Sequence, residues 1–256
     1  MSTEGVLTTQ GRVIGALILR ETRTAFGDSQ LGYFWAVFQP AVGTLALVAI
    51  FSVIGRMPPL GESFALFFGT GVFTFQFYQK LSQSIMTAVP QSRGLLTYPL
   101  VNESDLVIAK FIFIAMTYVL IMFVFFGALI GVGEGMFPKR FEVVTTALMC
   151  TALLGLGAGQ VNAVIFRLWP TWKQVESIIS RPMFFISGIF FLPTDFPPAV
   201  TYWLSWNPVL HCIEWMREGY YGYYESAVLD KPYLLVCTLI LLLVGFAGDR
   251  LYQKKV

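Results

Sequence analysis

The chain has 256 residues, of which 56% are apolar and only 12% charged, with a formal net charge of +2 and a mean hydropathy of +0.68. A soluble domain carries about 25% charged residues, so this composition predicts an integral membrane protein. The near-neutral balance excludes a nucleic-acid binder, which needs a strong basic patch. One His and three scattered Cys provide neither a clustered metal site nor a disulfide framework.

The first thirty residues include Glu4, Arg12, Arg20, Glu21, Arg23 and Asp28 and lack the apolar core of a signal peptide, so a retained N-terminus is expected. Val6, Val13, Ile14, Leu17 and Ile18 stand among the arginines of residues 6–26, which predicts an amphipathic helix in the cytoplasmic interface. A frayed cytosolic tail is the alternative. A membrane-crossing helix needs about 20 apolar residues. Charge-free runs predict spans at Ser29 to Gly55, Ser63 to Gln79 with continuation to about Val89, Phe111 to Gly133, Val143 to Phe166 and Pro232 to Gly248. A further span from Gln174 to about Leu192 contains Arg181. Six spans bring both termini to one side. Beside the spans, ten Lys and Arg fall on that side and five on the other, which predicts cytoplasmic termini.

Pro193 to Lys231 falls on the outer side, and Phe196 to Tyr224 holds nine aromatics in 29 residues. Asn207 and Pro208 suit an N-cap and first helical position. On the helix they open, His211, Glu214, Arg217 and Glu218 share one face and Val209, Cys212, Ile213 and Met216 the other. Too short to cross, this amphipathic helix fits a re-entrant or interfacial position.

No catalytic constellation is present. No Lys follows a Gly, so a P-loop is absent, and energy must come from a partner or an ion gradient. Gly127, Gly131 and Gly135, and likewise Gly155 and Gly159, are spaced for close helix approach, either within one subunit or at a dimer seam. Lys80 shares a helical face with Gln76, Gln79, Gln83, Ser84 and Thr87, and Arg181 shares one with Ser177 and Gly188. Ionisable groups inside spans point to function; snorkelling to the headgroups is the competing reading for both. Tyr202, Trp203, Trp206 and Trp215 suit either sugar stacking or an interfacial aromatic belt.

The segments at residues 17–40 (LILRETRTAFGDSQLGYFWAVFQP), 92–105 (SRGLLTYPLVNESD) and 187–224 (SGIFFLPTDFPPAVTYWLSWNPVLHCIEWMREGYYGYY) resemble the permease subunit of ABC-2 type polysaccharide exporters. Within that family the chain is most similar to the KpsM-type permease for capsular polysaccharide. The clusters Leu31-Gly32, Trp35, Pro40 and Trp206-Asn207-Pro208, Glu214, Arg217 are shared across the wider group, including O-antigen and teichoic-acid permeases. The capsule reading follows from similarity over nearly the whole chain.

This resemblance implies an all-α membrane domain of six transmembrane helices with an N-terminal interface helix and two short re-entrant helices between spans five and six. The implied division is an interface helix and loop at 1–33, five spans within 34–192, a periplasmic re-entrant segment at 193–231, the sixth span at 232–250 and a tail at 251–256. It also implies a homodimer in the bacterial inner membrane, docked on two copies of an ATPase that binds the ATP and Mg. The cargo would be a lipid-linked anionic polysaccharide, passed to periplasmic and outer-membrane export proteins.

Residues around Leu95, Tyr98, Pro99, Glu103 and Asp105 would form the coupling element in the ATPase groove. Gln76, Lys80, Gln83 and Arg181 are the expected path, since a polyanion needs a hydrated, sparsely cationic lining that releases it. Tyr202, Trp203, Trp206 and Trp215 are expected at the periplasmic mouth. A membrane-embedded glycolipid transferase is disfavoured because Glu103 with Asp105 and Glu214 with Glu218 lack suitable basic or His partners beyond His211. A gradient-driven transporter is disfavoured because repeats and midplane acids are not visible.

Overall fold

The computed structural model describes residues 3–27, 30–53 and 57–253, and these contain helices without strands. In chain order they are α1 (Thr3–Phe26), α2 (Gln30–Val53), α3 (Phe64–Met86), the short α4 (Ala88–Gln91), α5 (Glu103–Val132), α6 (Phe141–Leu168), α7 (Trp172–Ile186), α8 (Pro198–Leu204), α9 (Pro208–Tyr221) and α10 (Lys231–Gln253). Single 3-10 turns occupy Arg93–Thr97 and Pro193–Asp195. Asp28 of the N-terminal segment, Ser29 and Gly55 of the first expected span, and Arg56, Lys254 and Lys255 of the charge count lie outside the described residues.

Local chemistry sets the ends of these helices. Ser63 Oγ accepts the Leu66 N–H at 3.4 Å at the start of α3. At the start of α5 the Asn102 N–H donates to the Asp105 carboxylate at 3.0 Å. Asn207 Oδ1 accepts the Val209 N–H at 3.0 Å, with Pro208 in the first turn of α9, as the sequence predicts. α5 stops at Gly133, whose φ of +84° suits a residue without a Cβ. The N–H groups of Glu134 and Gly135 then turn back onto the Leu129 carbonyl.

α3 is the central helix, buried continuously from Ala65 to Phe75. Phe73 meets Phe125 of α5 with ring centroids 4.5 Å apart. On its other side, a Cβ built on Gly155 of α6 would lie 2.9 Å from Leu81 Cβ, and one on Gly159 would lie 2.8 Å from Ile85 Cβ. These two glycines therefore serve packing within the subunit. Gly127 and Gly131 meet nothing within 4 Å, and Gly135 approaches only Leu129 and Ile130 of its own segment. α10 runs parallel to α6, with Gly157 against Leu241 and Leu242, and Gly245 against Gln160.

The contacts define two ends. Gln10 and Glu21 of α1, Asp105 and Lys110 of α5, Arg167 of α6 and Asp249 of α10 gather at the end nearer the termini. The far end gathers Gly61, Lys139, Arg140, Gly219 and Tyr221. Among the described residues, three helices are long and apolar enough to cross a membrane by length and composition: Glu103–Val132, Phe141–Leu168 and Lys231–Tyr252.

Three expectations change. The helix expected over residues 174–192 ends at Ile186, and its 15 residues span about 22 Å, short of the roughly 30 Å hydrocarbon core. The apolar stripe of α1 does not lie only against lipid, because Leu17 packs on Leu106 and Ala109, flanked by Val13, Ile14 and Ile18. α9 has no wet face: every residue from Val209 to Tyr221 is buried except Glu218, which is half-buried. Its polar side faces protein.

Replacing Gly159 with Leu forces a side chain into the 2.8–2.9 Å gap against Ile85 and the Ser82 carbonyl. Overpacking of this kind costs about 1–3 kcal/mol. Thermal unfolding of the detergent-purified protein should show a lower midpoint for Gly159→Leu than for Gly131→Leu, which meets open space.

Candidate functional site

The polar stripe on α3 faces a cavity of about 980 Å³. Gln76, Gln79, Lys80, Gln83, Ser84 and Thr87 all line it, so the helical repeat read from the sequence places the whole stripe on one surface. α1 contributes Glu21 and Thr24, α2 Trp35 and Gln39, α5 Lys110 and Thr117, and α7 Lys173, Glu176 and Ser177.

Its charges divide into spent and unspent groups. Lys110 and Glu21 form an ion pair at 2.5 Å. Glu176, the one buried residue of α7, accepts from Gln83 Nε2 at 3.2 Å and from Ser180 Oγ at 2.9 Å. Lys80 and Lys173 have no carboxylate within ion-pair reach among the described residues, so the cavity presents two unpaired cations against the one unpaired carboxylate of Glu176, amid neutral amides and hydroxyls. Arg181 does not join them. The α7 lining stops at Ser177, one turn earlier, and Arg181 is exposed outside the cavity. Lys173 and Glu176 escaped the sequence reading, although Lys173 stands one helical turn before Ser177.

α9 brings a second polar cluster into the protein. Arg217 and Glu214, both fully buried, pair at 3.0 Å. Arg217 Nη1 donates to the Gly188 carbonyl at 2.7 Å and Nη2 to the Ile189 carbonyl at 3.2 Å, and the guanidinium lies 4.0 Å from the Phe67 ring centroid. Glu214 Oε2 also accepts from the hydroxyls of Tyr224 at 2.5 Å and Ser226 at 2.7 Å. Two glycines make room: a Cβ on Gly71 would sit 3.2 Å from Arg217 Nη2, and Gly188 has φ +79° with Leu210 Cδ1 2.7 Å from where its Cβ would be. One turn earlier, the Asp230 N–H donates to His211 Nδ1 at 3.1 Å, so the ring proton is on Nε2, which donates to the Ser205 carbonyl at 2.7 Å. Burial pushes the imidazole pKa down, consistent with this neutral form.

Of the four aromatics expected at one mouth, Tyr202, Trp203 and Trp206 are exposed around α8. Trp215 does not join them; it is buried on α9, with Lys231 Nζ 5.4 Å from its ring centroid.

The expected coupling residues also separate. Tyr98 and Pro99 are exposed, with Leu100 beside them. Leu95 is half-buried and packs toward α1. Asp105 does not face outward: at 1% exposure it caps α5 and accepts from Gln10 Nε2 at 3.1 Å. Glu103 is held by Arg167 at 2.9 Å, and Arg167 also binds Asp249 at 2.9 Å. These carboxylates set the loop's position, and the outward surface is the apolar run at 98–100.

An apolar helical bundle that encloses a large, sparsely cationic cavity defines a membrane-embedded transport subunit. The model of the ABC-2 type transporter family matches residues 12–221, and the chain belongs to that family. It is 30% identical over 241 residues to the polysialic acid transport protein KpsM of Escherichia coli, covering 94% of this chain and 93% of that protein. It is 27% identical to the capsule polysaccharide export inner-membrane protein CtrC of Neisseria meningitidis, over 96% of this chain and 93% of the relative. Identity to the corresponding BexB protein of Haemophilus influenzae is 24%, over 98% and 94%.

Cutting the buried pair on one side leaves an uncompensated charge, which costs about 3–5 kcal/mol. Arg217→Met should therefore lower the unfolding midpoint sharply, and adding Glu214→Gln should recover a large part of the loss. Thermal melts of the two single variants and the double variant measure this coupling, and strictly additive losses would contradict it.

Proposed function

We propose that this chain is the permease subunit of an ABC transporter that exports lipid-linked capsular polysaccharide across the bacterial inner membrane. The observation that carries the reading is the unbroken polar face from Gln76 to Thr87 lining a 980 Å³ cavity in a member of the ABC-2 family whose relatives are named for capsule or polysialic acid export. In this reading the path comprises Gln76, Lys80 and Gln83, joined by Lys173, while Arg181 lies at its margin. Two unpaired lysines per subunit attract an anionic polymer without fixing it at many points, as conduction requires.

Six crossings, by α2, α3, α5, α6, α10 and by α7 together with the non-helical residues 187–192 that follow it, put both termini in the cytoplasm, with α8 and α9 as the re-entrant pair on the periplasmic side. The 10:5 distribution of basic residues supports this orientation, as does the gathering of α1 and Asp249 at one end. The domain is a single unit with the boundaries given above. A homodimer is supported by α7, whose Ile178, Ile179, Phe185 and Ile186 are exposed and gain cover from a second copy. Because the chain lacks a P-loop, two copies of a partner ATPase hold ATP and Mg. They engage Tyr98, Pro99 and Leu100, which α1, Leu95, Glu103 and Asp105 hold in position. Periplasmic and outer-membrane proteins receive the polymer.

Lys80→Glu should abolish capsule at the cell surface, whereas Lys80→Gln should reduce it by less than tenfold, since reversal repels the polymer and neutralisation only weakens attraction. Surface polysaccharide in a deletion strain carrying each variant reads this out, with ATPase copurification confirming assembly. Equal export by both variants would place the path elsewhere.

A further inference from the structure

A cleft of about 390 Å³ lies where the α8–α9 turn meets the start of α10, within the roughly 300–1,000 Å³ range of small-ligand sites. Its walls include Tyr202, Ser205, Trp206, His211, Asp230 and Tyr233. The Trp206 ring stands nearly perpendicular to both neighbours, at 80° to Tyr202 and 81° to Tyr233, so neither stacks over its faces. Tyr202 and Trp206 are each 58% exposed.

The frame of the cleft is locked while its facing groups remain unspent. The Tyr233 hydroxyl donates to the Trp206 carbonyl at 2.8 Å, and His211 bridges the Ser205 carbonyl and the Asp230 N–H. Asp230 Oδ1 accepts the Tyr233 N–H at 2.9 Å. Among the described residues, the Trp206 indole N–H, the Tyr202 hydroxyl and Asp230 Oδ2 have no hydrogen-bond partner. A locked wall with free aromatic faces and a few convergent polar groups is preorganised for a ligand that is apolar on its face and hydroxylated at its edge.

We infer that this cleft is a subsite for one sugar ring of the exported polymer, whose C–H face covers Trp206 and whose hydroxyl edge meets Asp230 and Tyr202. The inference rests on the export reading above and adds to it the residues and the part of the sugar recognised. An acyl chain does not fit, since it would desolvate the Asp230 carboxylate without giving it a partner. An acidic group of the polymer does not fit either, because Asp230 repels it and the adjacent Lys231 is committed to Glu218 at 3.0 Å. The ring therefore enters by its hydroxyls.

The test uses the full chain with its ATPase in capsule-producing cells, with the photo-crosslinker benzoylphenylalanine at Ala227, an exposed residue of the cleft wall. Irradiation should give an adduct of this chain that carries periodate-sensitive glycan. Trp206→Leu and Asp230→Asn should each reduce that adduct roughly tenfold, equivalent to about 1.4 kcal/mol, while Trp206→Phe retains most of it. Asn preserves the cap on Tyr233, so loss in Asp230→Asn reports the second carboxylate oxygen rather than misfolding. An adduct to phospholipid or to a protein alone overturns the subsite, as does a glycan adduct indifferent to these substitutions. Surface capsule is measured in the same cells. Export that persists when the chain is deleted overturns the export reading itself, whereas chain-dependent export without the glycan adduct overturns only the subsite.

Discussion

The buried guanidinium of Arg217 is the constraint around which the far half of the bundle is arranged. A charge with no exposure to solvent persists only if protein groups replace its hydration. Arg217 gathers them from four places: Glu214 on its own helix, the carbonyls after α7, the Phe67 ring on α3 and, through Glu214, the hydroxyls of Tyr224 and Ser226. A short helix that cannot cross the membrane is thereby held inside the protein with most of its polar groups partnered, the Arg217 Nε and the Tyr221 hydroxyl being exceptions. Gly71 and Gly188 follow from the same demand, because a side chain at either position would collide with the guanidinium or with Leu210.

That arrangement explains how one bundle accommodates opposite needs. In the far half, the charges of Arg217 and Glu214 are paired with protein groups and the packing is dense. In the half nearer the termini, α3 turns its amides and Lys80 toward a cavity, and Lys80 and Lys173 remain unpaired. A polymer that must pass needs the second environment; a helix that must stay in place needs the first. α7 stands between them. Glu176 joins it to Gln83 of α3, while the rest of the helix is little buried.

Ion pairs at the end nearer the termini tie the elements on either side of the loop at 92–105. Lys110 binds Glu21, Asp105 receives Gln10, and Arg167 holds both Glu103 and Asp249. α1 is therefore braced against α5 rather than floating in the interface. The Tyr98 N–H is tied to the Leu95 carbonyl, Leu95 packs toward α1, and the start of α5 is held to α10 through Glu103, Arg167 and Asp249.

Sequence alone determined the membrane setting, the helical class, the cap at Asn207 and the polar face of α3. Each depends on composition or on a repeat of 3.6 residues, which is local information. The family was legible too, through clusters such as Trp206-Asn207-Pro208. Tertiary structure decided which charges are free. Glu103 and Asp105 read as part of the ATPase-coupling element, and His211, Glu214 and Arg217 as one face of an amphipathic helix, because nothing within a few residues reveals a partner such as Arg167, 64 positions from Glu103, or the Gly188 carbonyl, 29 positions from Arg217. Whether a polar side chain meets water, a ligand or a buried counter-charge depends on which distant segments the fold brings within about 3 Å of it, and a periodic pattern does not contain that distance.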